Sequence, residues 1–99
     1  MRSNKVSLKH YRKSHIHDHY ILELKFWVIH DKDRFPDGIK YSLICKDERN
    51  GKKVLFDNHV PKGHHYHLDE IEYNYEFTTE KKLLEDFQKH VLQHLGVKI

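Results

Sequence analysis

The chain has 99 residues, 37% of them hydrophobic, which is enough for one core and too few for two. A single cysteine excludes an internal disulfide, and no apolar run approaches the ~20 residues a membrane helix needs. Eighteen Lys and Arg stand against 15 Asp and Glu, a net charge of +3, and 11 histidines add cationic potential near an anionic partner.

Residues 1–19 form a basic, His-rich N-terminal segment. Arg2, Lys5, Lys9, Arg12 and Lys13 fall here, and no acid occurs before Asp18. The segment lacks the apolar stretch of a signal peptide, so a cytoplasmic location is expected. Such a stretch is a candidate nucleic-acid footprint, and Val6 and Leu8 allow a short strand over 5–12.

Residues 20–30 predict a strand with Tyr20, Leu22, Leu24, Phe26 and Val28 on one face. A turn over 31–38 ends in Pro36-Asp37-Gly38. Residues 39–47 predict a second strand, with Ile39, Tyr41, Leu43 and Cys45 sharing a face. Cys45 therefore reads as a core residue. Asn50-Gly51 is a hairpin signal leading into a third strand at 52–58. Residues 59–69 read as a His-rich loop, and a fourth strand is predicted at about 70–77. Leu83, Leu84, Phe87, Val91 and Leu95 then mark a helix over 79–95, with Thr78 as its N-cap and Gly96 ending it. The expected fold is a single α+β domain over 1–99. A small antiparallel sheet of four to five strands, spanning 20–77, carries a C-terminal amphipathic helix on one face. The other face stays open, with Glu23, Lys25, Lys40, Ser42 and Lys46 pointing from it.

The densest chemistry lies in Asp57-Asn58-His59-Val60-Pro61-Lys62-Gly63-His64-His65-Tyr66-His67. Imidazoles suit proton transfer, and a lysine beside a glycine can neutralise a phosphate. The expected acid–base pair is His64 with His67, with Lys62 as the transition-state cation and Asp57 orienting one ring. Asn58, Lys40, Tyr66 and Tyr75 are the expected substrate contacts, the tyrosines as stacking surfaces. These parts suffice for a metal-independent ribonuclease. A different set, His15, His17 and His59 with Asp57, would instead make a metal-dependent phosphodiesterase, and His15, His17 and His19 would share one side of a strand. His90 and His94 stand at helical i,i+4 spacing, which also suits a metal. Trp27 on the open face could stack a base or anchor a partner. A third reading is a non-enzymatic module that binds protein or nucleic acid through that face.

The string D-N-x(3)-K-G-x-H-x-H, formed here by Asp57-Asn58 and Lys62 to His67, resembles the TumE family of type II toxin–antitoxin toxins. Lys25-Phe26-Trp27, Lys40-Tyr41-Ser42-Leu43, Glu72, Tyr75-Glu76-Phe77 and Leu83, Leu84, Asp86 and Phe87 extend the likeness over about residues 5–95. Ser42 and Tyr66 stand where many members look to carry Arg. The resemblance implies a cytoplasmic toxin neutralised by a cognate helix-turn-helix antitoxin. It implies no reaction and no cofactor; the ribonuclease reading comes from the side chains, with RNA as the implied partner.

Overall fold

The structure, a computed structural model, describes residues 6–99. Arg2 and Lys5 of the basic segment lie outside them. Six strands and one helix follow in order: β1 (Val6–Ile16), β2 (Tyr20–Ile29), β3 (Ile39–Asp47), β4 (Lys53–Asp57), β5 (His65–Leu68), β6 (Ile71–Asn74) and α1 (Glu80–Leu95). The strands form one antiparallel meander in chain order.

The α+β class, the antiparallel sheet and the helix on one face all agree with the sequence. The strand count does not, because six strands replace four to five. The segment read as a loop over 59–69 contains β5, and the strand expected at 70–77 is the shorter β6. The two pair through a two-residue turn, Asp69-Glu70, with Leu68 opposite Ile71. Asp69 takes φ 57 there, and its carboxylate accepts the Lys53 N–H at 2.9 Å. Aspartate tolerates this left-handed conformation because its side chain bonds locally. β1 also runs longer than expected. It pairs with β2 along its whole length, with one bulge between Leu8 and His10.

The Asn50-Gly51 signal holds. Gly51 adopts φ 77, and the Asp47 N–H closes on the Lys52 carbonyl at 2.8 Å. The helix begins one residue later than expected. Thr79, not Thr78, caps it, its hydroxyl accepting the Lys82 N–H at 3.1 Å. Gly96 at φ 75 ends it, its N–H returning to the Leu92 carbonyl. The helix is 16 residues long, and no helix among the described residues is long and apolar enough to cross a membrane.

Antiparallel partners point to the same face, so the register sorts every strand residue. The helix lies over β3 and β4. Leu83, Phe87 and Val91 pack there on Tyr41, Leu43, Cys45, Val54 and Phe56, all essentially removed from solvent. Cys45 is thus a core residue, and burial raises its thiol pKa to about 11. The opposite face carries no helix. Its central row runs Tyr11, Lys25, Ser42, Asp57, His65, Asn74 across the six strands. The next row runs Lys13, Glu23, Ile44, Leu55, His67, Glu72.

Candidate functional site

Strand alternation decides which histidines meet. His65 and His67 are two residues apart on β5 and share the open face, their ring centroids 5.1 Å apart. Each has a carboxylate directly across the ladder. His65 pairs with Asp57 of β4 and His67 with Glu72 of β6. The His65 Nε2 to Asp57 Oδ1 distance is 2.8 Å, and the His67 Nε2 to Glu72 Oε1 distance is 3.5 Å. Lys62 closes the group, its Nζ donating to Glu72 Oε1 at 2.7 Å. That bond and the ammonium charge hold the Glu72 carboxyl below its ordinary range.

His65 is buried although it lies on the open face. Its Nδ1–H donates to the Gly63 carbonyl at 2.7 Å, which fixes the ring. Nε2 can then donate to Asp57 only when the ring is an imidazolium. Asp57 is held in turn by the His59 N–H, which donates to Oδ1 at 3.2 Å.

The structure does not bring His64 to His67. His64 precedes β5 and turns to the covered side, where its ring stacks on Phe77 with centroids 4.9 Å apart. Its Nε2–H donates to Asp37 Oδ2 at 2.7 Å, and Nδ1 accepts the Tyr41 hydroxyl at 2.9 Å. Burial pushes the Tyr41 phenol far above its ordinary pKa, so it remains a donor. This chain ties β3 to the 31–38 turn. The residue beside His67 is His65, because a one-position slip along a strand exchanges faces.

Other expected contacts also prove architectural. Asn58 is buried, accepting the Tyr41 N–H and donating to the Ile39 carbonyl, both at 2.9 Å. Tyr66 is stacked between Phe56 and Tyr73, against His90, on the covered side. The Tyr75 hydroxyl donates to Asp86 Oδ2 at 2.7 Å; burial and that carboxylate raise its pKa. The expected set His15, His17, His59 and Asp57 is dispersed. The chain reverses through His17 and Asp18, both at positive φ, so His15, His17 and His19 do not line one strand. His90 packs on Phe56 and Tyr66, and burial lowers its pKa; His94 instead meets Asp69 at 3.0 Å.

Lys40 is on the open face as expected, its Nζ 5.2 Å from the centre of the Trp27 ring. Beside it the 31–38 turn folds back over the end of β2 and encloses a cavity of about 410 Å³. Trp27 and Ile29, Lys40, Arg34 and Phe35, and His59 from the loop after β4 form its walls.

Of the expected site residues the structure brings Asp57, Lys62 and His67 together, beside His65 and Glu72, which sequence reasoning had not singled out, as it had not Arg34. A signal for two of them was present: His65-x-His67 and Ile71-x-Tyr73 alternate about Asp69-Glu70, which places Glu72 opposite His67 once the segment is read as a hairpin.

No family model, curated protein or solved structure matches this chain.

Proposed function

We propose that this chain is an RNA-cleaving toxin of a toxin–antitoxin pair, acting from the open sheet face. The observation that carries the reading is the His65–His67 pair on that face, each ring set against its own carboxylate. The D-N-x(3)-K-G-x-H-x-H string supports the toxin assignment and, with it, a helix-turn-helix antitoxin as partner. The charge of the face supports an anionic substrate: by register Lys13, Lys25, Lys40, Lys46 and Lys53 stand against Glu23, Asp57 and Glu72.

The two histidines differ in their surroundings, and this assigns their roles. Asp57 lies 2.8 Å from His65 Nε2, where it can accept that N–H and orient it, so His65 is assigned as the acid. Glu72 lies farther from His67, at 3.5 Å, and is engaged by Lys62 at 2.7 Å, so His67 Nε2 is the less committed nitrogen and is assigned as the base. His67 takes the proton of a ribose 2′-OH, the 2′ oxygen attacks phosphorus, the P–O5′ bond breaks, and His65 gives its proton to the departing 5′ oxygen. The products are a 2′,3′-cyclic phosphate and a free 5′-OH. Lys62 leaves Glu72 for the phosphoryl oxygens as their charge grows.

A second reading is favoured by one measurement: donor atoms of His65, His67 and Glu72 lie within 4.8 Å of one another. The His65 Nδ1–H bond to a carbonyl is also the outer bond that metal-ligating histidines make. A divalent transition ion held there would activate a water for phosphodiester hydrolysis.

The test is cleavage of single-stranded RNA by purified protein, read with and without EDTA, alongside growth on induction without the antitoxin. Under the acid–base reading EDTA has no effect, the rate is bell-shaped in pH, and His67→Ala lowers it at least ~100-fold. Loss of cleavage in EDTA with recovery in Zn²⁺ or Mn²⁺ replaces it by the metal reading. Growth arrest without RNA cleavage overturns both in favour of a binding toxin.

A further inference from the structure

We propose that the cavity beside Trp27 binds one nucleotide of single-stranded RNA, the base stacked on the indole and its phosphate held by Lys40 and Arg34. This rests on the RNA-directed reading above and supplies its substrate subsite.

The cavity, about 410 Å³, falls in the ordinary range for small-molecule sites of ~300–1,000 Å³. One side is apolar, made by Trp27, Ile29 and Phe35. The other is cationic. Among the described residues, five cations are matched to an acid: Lys9 to Glu80, Lys25 to Glu23, Arg49 to Asp47, Lys62 to Glu72 and Lys82 to Asp86. Neither Lys40 nor Arg34 forms an ion pair within that set. The acid on the cavity wall, Asp31, turns Oδ1 back to the N–H groups of Asp33 and Arg34. Two cations outside any ion pair, beside an aromatic wall and a single acid, suit a ligand that is both anionic and aromatic. Inorganic phosphate would leave the apolar wall in water, and an aromatic side chain would leave both cations unpaired.

Position connects the cavity to the reaction. Trp27 and Lys40 form the row next to Lys25, Ser42, Asp57 and His65, two residues or about 7 Å along the strands. His59 lines the cavity, and its N–H donates to Asp57. His65 on β5 lies two strands from Lys40 and three from Trp27, at about 4.8 Å per strand, so a chain seated there crosses the open face to His65 over more than one nucleotide. Stacking on one ring reads no base edge, so the subsite tolerates any sequence.

Trp27 is the chain's only tryptophan, so its fluorescence reports on the cavity directly. The full chain is titrated with AMP, adenosine and inorganic phosphate, with absorption corrected. AMP should quench saturably, adenosine should bind about tenfold more weakly, and phosphate should compete with AMP without quenching strongly. Lys40→Ala and Arg34→Ala should each weaken AMP about tenfold and leave adenosine unchanged, with the unfolding midpoint confirming an intact fold. Absence of saturable AMP quenching, or AMP binding equal to wild type when both cations are removed, overturns the assignment. RNA cleavage is measured on the same protein. AMP binding without cleavage keeps the subsite and removes the ribonuclease reading. Cleavage without AMP quenching keeps the ribonuclease and removes the subsite.

Discussion

The two faces of the sheet use the same residue types for different ends. On the covered face, polar groups are spent on one another: Tyr41 with His64 and Asp37, Tyr75 with Asp86, Asn58 with the backbone of residues 39 and 41. Aromatic rings there close on aromatic rings, as Phe56 does on Tyr66 and Phe87. On the open face most polar groups keep a side toward solvent, with His65 the buried exception. His67 and Glu72 are part-exposed, and Lys40 points over an indole instead of a carboxylate. His64 and His65 are neighbours in sequence and belong to opposite faces. A histidine's role in this fold is therefore set by strand phase, and local density of ionisable groups identifies the segment without identifying the residues.

The sharpest break between the faces should come from the core. Phe87 is fully buried and edge-on to Phe56, with ring centroids 5.8 Å apart. Phe87→Ala should cost about 3–5 kcal/mol in chemical denaturation, a large share of a domain's stability. An unchanged midpoint would break the division by placing the helix off the sheet.

Asn58 sharpens it next. Removing its side chain leaves the buried Tyr41 N–H and Ile39 carbonyl without partners, at about 1–3 kcal/mol for each. Asn58→Ala should accordingly lower the denaturation midpoint and leave KM for RNA unchanged at a temperature where the variant is folded. A raised KM with an unchanged midpoint would return Asn58 to the substrate.

The smallest effect lies at the sheet edge. Asp69 is held below the ordinary carboxylate range by His94, whose Nε2 lies 3.0 Å from Oδ2, first and by the Lys53 N–H second. A depressed folded pKa stabilises the protein above the unfolded value of about 3.9 and ceases to do so as pH falls through the folded one. Asp69→Asn keeps a residue tolerant of φ 57 and should destabilise modestly at neutral pH. The gap should close in thermal melts taken below about pH 4. A gap that widens in acid would show that the charge is not what holds this turn.

Much of the fold was legible because the apolar alternation in β2 and β3 and the stripe in α1 are strong. The β5–β6 hairpin was not. His65-Tyr66-His67-Leu68 carries little apolar contrast, Pro61 and Gly63 suggest a loop, and the turn at Asp69-Glu70 lacks the glycine or asparagine that marks hairpins. That miss propagated to the site. Without the start of β5 the phase of His64, His65 and His67 is undetermined, and a four-residue strand gives no apolar pattern to set it. Asn58 misled for a different reason: an amide beside a carboxylate reads the same whether it faces a substrate or the backbone. Trp27 and Lys40 were visible as open-face residues, whereas Arg34 depends on the path of the 31–38 turn.

Chemistry on the open face requires His65 rather than His64. The most direct measurement compares His64→Gln with His65→Gln for RNA cleavage at matched folded fraction, with denaturation midpoints recorded for both. His65→Gln should lower the rate at least ~100-fold, whereas His64→Gln, which breaks the Tyr41–His64–Asp37 chain, should shift the midpoint and leave the rate per folded molecule within a few-fold of wild type. A rate lost in His64→Gln and retained in His65→Gln would contradict the open-face assignment.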